Sequence, residues 1–213
     1  MIRWLLDLLY PPRCVLCHGF LPSSRQPVCD GCAAKLLARE PLRHEGKHFS
    51  RCVAPFAYEE PVRSSIHRFK FQDRRFYAGF YAEHMAAVLR QEPDFDCQLI
   101  TWVPISRKRR RERGYDQAEL LARELAKCLD LPAAPCLRKI RDNPAQSGIR
   151  DRETRKKNVA GAYAPAPGAE LRGCRLLLVD DIITTGATME ECSKVLRQQG
   201  ACRILGATAA LTK

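Results

Sequence analysis

Long apolar runs are missing from this 213-residue chain. No stretch approaches the roughly 20 consecutive apolar residues that cross a bilayer. Met1–Tyr10 does not read as a secretory leader: it is apolar but short, holds Asp7, and runs into Pro11-Pro12 instead of a small-residue cleavage site. The expectation is a cytoplasmic protein whose residues 2–9 form an amphipathic helix, packed on the body of the protein or touching a membrane surface. Internal repeats and low-complexity tracts are absent, which excludes a repeat array. Acidic residues are scarce, with 24 Asp+Glu against 36 Lys+Arg, a formal charge of +12 and a pI near 9.4. A basic surplus of that size points to polyanionic partners: phosphate esters, nucleic acid or anionic lipid. Eleven cysteines, an odd number scattered along the chain, do not read as a disulfide framework and suit a reducing compartment. A hydrophobic fraction of 46% leaves ample material for a packed core.

Composition shifts near residue 50. Before it lie closely spaced cysteines, prolines and glycines with little periodicity; after it, helical and strand patterns alternate. Cys52–Tyr58 is a short apolar run, followed by a short helix from Pro61 to Phe69. Ala82, Met85, Ala86 and Leu89 fall at helical spacing, and Gln98–Val103 reads as a buried strand stopped by Pro104. Residues 116–129 carry one apolar stripe, Ala118, Leu121, Ala122, Leu125, Ala126 and Leu129. Residues 142–158 are polar, with Pro144 and Gly148, and read as a long loop. Arg175–Val179 is a strand of the kind buried on both faces of a parallel sheet. A helix over 187–199 follows, capped by Gly200, then a strand over 204–211. This alternation predicts an α/β domain with a mainly parallel sheet over 51–213, behind a small module at 1–50.

Cys14-Val-Leu-Cys17 and Cys29-Asp-Gly-Cys32 are two C-x2-C pairs separated by eleven residues. Each pair sets two thiolates on one turn, with Gly31 supporting the second. Two such turns brought together make a closed tetrahedral zinc site of structural type. A module this small needs a staple of that kind. Redox-active or accidental cysteines are the competing interpretation, and His18 and His44 are nearby alternative ligands. The other seven cysteines lack paired spacing and read mostly as small core residues.

The most informative segment is Leu176-Leu-Leu-Val-Asp180-Asp181-Ile-Ile-Thr184-Thr185-Gly186-Ala187-Thr188. Two carboxylates stand where a buried strand ends, the edge at which open α/β sheets bind ligands. A hydroxyl-rich turn with one glycine then opens a helix, so backbone N–H groups and the helix dipole face an anion. Carboxylates for sugar hydroxyls beside a phosphate loop suit a sugar phosphate. The segment resembles the phosphoribosyl pyrophosphate (PRPP) signature of type I phosphoribosyltransferases at every position. With Val103-Pro104, Arg113-Gly114-Tyr115-Asp116-Gln117, Gln146-Ser147-Gly148, Asn158 and the four cysteines, nearly the whole chain is similar to the ComF/GntX family, which joins a zinc module to a phosphoribosyltransferase-like domain. The family usually carries Phe-Asn where this chain has Tyr115-Asp116.

The resemblance implies a type I phosphoribosyltransferase-like parallel sheet flanked by helices, and a part in natural competence or use of external DNA. It implies that Asp180 and Asp181 meet the ribose 2′- and 3′-hydroxyls, directly or through Mg2+. Thr184, Thr185, Gly186, Ala187 and Thr188 would hold the 5′-phosphate, and Ser106 and Arg107 the pyrophosphate. Residues 142–158 would correspond to the loop that closes over PRPP, and Asp181 would be the acid/base partner if transfer occurs. Whether the chain is a working transferase or a PRPP-binding, DNA-handling accessory factor stays open, as do the acceptor and any protein partners in competence.

Residues 107–113 and 138–157 each carry a net +5, together +10 of the +12. They are either solvated faces or a track for single-stranded DNA, with Tyr115, Phe69, Phe71 or Tyr77 as stacking candidates. Lys70 is a candidate contact of the site.

Overall fold

The computed structural model describes residues 11–37, 40–142 and 158–212; the expected helix at 2–9 and most of the loop at 142–158 lie outside them. Leu176, Leu177, Leu178 and Val179 have no exposed surface, because their strand, β7 (Arg175–Ile183), is covered on both faces. β4 (Leu99–Trp102) and β8 (Arg203–Leu211) pair parallel to it on either side. β2 (Cys52–Ala54) and β3 (Phe56–Ala57) both pair parallel to β8, and β1 (Leu42–His44) adds antiparallel to β2. The strand order is β1-β2-β8-β7-β4. β1 precedes residue 50, so the chain enters the sheet directly from the cysteine-rich segment.

Side chains alternate between two cores. Leu177 and Val179 face a cluster with Tyr81, Met85, Leu121 and Leu125, from α3 (Tyr77–Leu89) and α5 (Gln117–Leu129). Leu176 and Leu178 face Met189, Cys192 and Leu196 of α6 (Ala187–Gln198). The first core also takes in Cys14, Val15, Leu16, Leu21 and Cys32, so the N-terminal module shares the hydrophobic interior of the sheet domain. α1 (Asp30–Leu37) belongs to that module, and α2 (Val62–Phe71) lies between it and the sheet.

Three features depart from the sequence reading. β7 does not stop at Val179: pairing with β8 continues to Ile183 opposite Leu211, so the two carboxylates lie within the paired strand. Residues 107–113 form a helix, α4 (Arg107–Arg113), which no apolar period signals; its caps do, since the Ser106 Oγ accepts from the Arg109 N–H at 3.3 Å and Gly114 ends it at φ 78°. β5 (Leu137–Lys139) and β6 (Tyr163–Pro165) form a separate antiparallel pair, too short to carry a readable alternation. Gly200 follows α6 at φ 93°, as expected of a helix stop.

An ionic cluster fixes the β1–β2 edge. The Glu92 carboxylate, with no exposed surface, accepts from Arg43 Nε and Nη2 at 2.9 and 2.7 Å and lies 3.0 Å from Arg51 Nε. Arg51 and Arg203 both reach Asp94. Glu92→Gln removes a buried charge that two arginines face, and is expected to lower stability in urea unfolding by about 2 kcal/mol.

Candidate functional site

The four cysteines of the N-terminal module converge. Their sulfur atoms all lie within 4.8 Å of one another, and Cys17 Sγ is 3.7 Å from Cys29 Sγ. A tetrahedron with zinc–sulfur bonds of about 2.3 Å has edges of about 3.8 Å, so the donor set fits zinc. The first pair sits on a tight loop in which the Cys14 N–H donates to Gly19 O at 2.8 Å and His18 adopts a positive φ of 65°. The second pair opens α1, so Gly31 lies in a helical turn and not in the tight turn expected of it. Backbone N–H groups point at sulfur: Gly19 at Cys17 and Cys29 at Cys14, each at 3.5 Å. Burial opposes ionisation of Cys14, but the N–H groups of Cys29, Cys17 and Leu16 outweigh it and bring its pKa to about 7. Among the described residues no histidine joins this cluster.

The acid pair is splayed by the pleat of β7, which sends consecutive side chains to opposite faces. Asp181 turns toward α2, where Lys70 Nζ lies 2.8 Å from its Oδ2. Asp180 turns toward α6 and the β5–β6 hairpin, where its charge acts on Cys192 and Tyr163. Burial, and then the neighbouring Asp181 charge, push the Asp180 carboxyl well above its ordinary value, while the Asp181 N–H at 2.8 Å and Lys70 pull the other way.

Beyond Ile183 the chain turns through Thr184, Thr185 and Gly186 into α6. Gly186 is required there twice over: its φ is 75°, and a Cβ would stand 2.6 Å from His44 Nε2. Ala187 is buried in the first turn and Thr188 half-buried. The turn is braced from outside, because Glu190 of the same helix accepts from the Lys47 N–H, the His48 N–H at 3.0 Å and the His48 ring at 2.8 Å. Sequence reasoning missed Glu190, which stands in no pattern, and took His44 as an alternative zinc ligand, whereas its ring lies against Gly186.

Across the site, the loop after β4 carries Ser106 and Arg107. Ser106 is buried with its Oγ capping α4, while Arg107 is exposed. Asp116 clamps this loop: one carboxylate oxygen accepts from the Ile105 N–H at 2.9 Å, the other from Ala118 N at 3.0 Å and Glu119 N at 3.3 Å. This gives the Asp of the Tyr115-Asp116 departure a defined place as the cap of α5. A cavity of about 570 Å³ opens beside it, lined by Arg107, Arg110, Arg138 and Lys139 together with Trp102 and Ile140.

Three stacking candidates are core residues instead. Phe69 and Tyr77 are 1% exposed and Tyr115 5%, and the Tyr115 hydroxyl donates to Phe69 O. Phe71 alone of the four is exposed, at 57%. Of the seven unpaired cysteines, Cys52, Cys136 and Cys192 are buried, Cys97, Cys128 and Cys174 half-buried, and Cys202 exposed. Of the basic segments, α4 and residues 138–142 are described; Gln146, Ser147 and Gly148 lie outside the described residues. Among the described residues no helix is long and apolar enough to cross a membrane.

Comparison with known proteins gives these features a class. A phosphoribosyl transferase domain model matches residues 115–212, and a double zinc ribbon domain model matches residues 5–62. The chain therefore has a type I phosphoribosyltransferase-like fold behind a structural zinc module. Competence protein F of Haemophilus influenzae is 28% identical over 211 residues, covering 88% of this chain and 92% of its own length. DNA utilization protein YhgH of Salmonella typhimurium is 27% identical, covering 92% and 96%. Competence protein ComFC of Bacillus subtilis is 28% identical, covering 88% and 72%. The two matched domains and these relatives together support a ComF-family chain, a phosphoribosyltransferase-like domain behind an N-terminal zinc module.

Two outcomes follow from the site. One zinc per chain is expected by metal analysis, and its removal by a strong chelator should lower the melting temperature by more than 10 °C, since Cys14 and Cys32 belong to the main core and Cys29 packs against it. The raised Asp180 value predicts the second. A carboxyl whose folded value exceeds its unfolded one makes the fold lose stability as pH rises from the ordinary carboxylate range through the raised value. Asp180→Asn should therefore stabilise the ligand-free protein by about 1 kcal/mol at pH 7 in urea unfolding, the gain narrowing as pH is lowered.

Proposed function

We propose that this chain is a PRPP-binding protein that handles DNA taken up from outside the cell. The observation that carries the reading is the splayed Asp180-Asp181 pair leading within one turn into Gly186 and the N-terminus of α6. Carboxylates on both faces of one strand suit the two ribose hydroxyls. The N–H groups of residues 184–188, with the helix dipole behind them, suit the 5′-phosphate. The loop clamped by Asp116, with Arg107 exposed at its end, suits the pyrophosphate.

Asp180 and Asp181 offer the hard oxygen donors that Mg2+ favours, so they fit a magnesium ion carried in with PRPP. Bound there, it would neutralise charge on the pyrophosphate. The chain's own residues do the rest: the loop at 184–188 anchors the phosphate end, Asp180 and Asp181 orient the sugar, and Arg107 faces the leaving-group side. Transfer to a nitrogen acceptor is the second reading, favoured by the Lys70–Asp181 contact at 2.8 Å. A carboxylate held in place by an ammonium group is positioned to take a proton from an incoming nitrogen.

The DNA part rests on charge and kinship. Arg107 and Arg110 of α4, with Arg138 and Lys139, line the cavity with more cations than one pyrophosphate needs, and relatives bear the names competence protein and DNA utilization protein. Single-stranded DNA and other DNA-processing proteins are the partners this suits. A thiolate-built zinc module suits the reducing cytoplasm.

Calorimetric titration of Mg-PRPP into zinc-loaded protein, beside an Asp180→Asn/Asp181→Asn double variant, tests the reading. Micromolar binding that the double variant loses is expected. Absence of binding by the folded, zinc-replete wild type overturns it.

A further inference from the structure

The first cysteine loop is held from outside the N-terminal module. Arg68 of α2 donates through Nη2 to Val15 O at 3.2 Å and to Leu16 O, the two carbonyls enclosed by Cys14 and Cys17. Its Nε is buried and makes no hydrogen bond. A buried guanidinium suits the outer sphere of a tetrathiolate site, because four thiolates around Zn2+ leave about two net negative charges on the cluster. The charges of Arg68, Arg13 and Arg74 all reach His18, the residue that follows Cys17.

The same helix carries Lys70 to the acid pair. Residues two apart on an α-helix stand about 200° apart around its axis and about 3 Å apart along it. Arg68 and Lys70 therefore leave α2 in opposite directions, one to the cysteine loop and the other to Asp181 Oδ2 at 2.8 Å. Phe69 between them is 1% exposed and its carbonyl takes the Tyr115 hydroxyl, while Ile66 has no exposed surface. A helix packed this tightly moves as one piece, so its two polar grips are not independent. A phosphate ester arriving beside Asp181 adds negative charge around Lys70 and holds the last turn of α2 more firmly. Arg68, less than one turn back, passes that restraint to the carbonyls between Cys14 and Cys17.

We propose that Arg68 is a positioning residue of the zinc site, and the joint through which a sugar phosphate at the acid pair slows the loss of zinc. The coupling rests on the sugar-phosphate reading of that site; the hold of Arg68 on the cysteine loop does not.

The test follows zinc loss from the loaded protein into an excess of a zinc-selective fluorescent chelator. It compares wild type, Arg68→Met, Arg68→Lys and Arg63→Met, each without ligand and with Mg-PRPP at a concentration that calorimetry shows to saturate it. Arg63 is exposed on the same helix and serves as the control. Without ligand, Arg68→Met should lose zinc about tenfold faster than wild type. Arg68→Lys keeps a donor for the two carbonyls and should recover part of that difference, while Arg63→Met matches wild type. Mg-PRPP should slow the loss about fivefold in wild type and Arg63→Met, and leave Arg68→Met unchanged. If Arg68→Met does not fold, Arg68→Lys carries the comparison, with a faster loss and a smaller slowing than wild type.

Wild-type rates in the ligand-free Arg68 variants overturn the proposal. So does equal slowing by Mg-PRPP in every protein, which is the mark of a ligand that stabilises the whole fold. A wild type that binds Mg-PRPP yet loses zinc no more slowly overturns the coupling as well. Failure of Mg-PRPP to bind wild type sinks the sugar-phosphate reading instead, and the ligand-free rates still decide whether Arg68 holds the cysteine loop.

Discussion

Two adjacent, half-buried carboxylates that follow four fully buried residues on β7 are the constraint around which this protein is built. Buried charge is tolerated only where it is paired or hydrogen-bonded, and the pleat of β7 divides the problem between the two faces of the sheet. Asp181 is met by an ammonium group from α2. Asp180 accepts from the Asp181 N–H and feels Lys70, but burial and the Asp181 charge win and push its carboxyl well above its ordinary value. The pair is therefore asymmetric: one acid is compensated by a cation and the other is destabilised by its burial. An open α/β sheet supplies the position, because loops following the strand ends leave room there that the packed middle of the sheet does not.

The last turn of α2 ties this site to the N-terminal module. Arg68 donates to the carbonyls of Val15 and Leu16 in the first cysteine loop, Phe69 accepts from Tyr115, Lys70 takes Asp181, and Phe71 lies under Arg113. Four consecutive residues thus join the zinc loop, the start of α5, the acid pair and the basic helix. With Cys14 and Cys32 inside the main hydrophobic cluster, the zinc module is a wall of the domain and not a bead on a string. From the other side, Glu190 gathers the segment 47–48 against α6, so the chain leaving the module also braces the turn at residues 184–186. Zinc that holds the module therefore bears on the acid pair through α2 on one side and on that turn through residues 44–48 on the other.

What could be read in the sequence was whatever a local rule dictates. The stripes of α3 and α5 and the apolar run of β7 are each fixed by neighbours within a dozen residues and lie where their patterns put them, while the Asp-Asp pair, read as the end of the strand, falls inside it because pairing with β8 runs on to Ile183. The paired cysteines converge because their spacing admits little else. Contacts between distant segments left no local trace. Lys70 was a candidate without a partner until the fold set it against a residue more than a hundred positions away, and His44 is visible only as the ring that leaves Gly186 no room for a side chain. The Arg-rich helix α4 was hidden because seven residues with a single acid among six bases show no apolar period, although Ser106 and Gly114 mark both its ends. Phe69, Tyr77 and Tyr115 misled for the opposite reason: aromatic residues among arginines resemble a stacking surface, but helix phase turns Phe69 and Tyr77 inward, and the bend between α4 and α5 buries Tyr115, whose hydroxyl donates to Phe69 O.

Helix phase also explains why charge and aromatic surface meet at one place. On α2, Ile66 and Phe69 face the core, so Lys70 and Phe71 emerge on its flank toward α4. On α4 none of the side chains is buried, and the register that pairs Arg110 with Glu119 leaves Arg113 directed at Phe71 and Gln117. On this flank Asp181 is met by Lys70 at 2.8 Å and by the charge of Arg113, so the ends of α2 and α4 bear on the same carboxylate while Asp180 points to the opposite face. Without those two cations the half-buried Asp181 charge would stand uncompensated, so the strand tolerates it only because both helices end there.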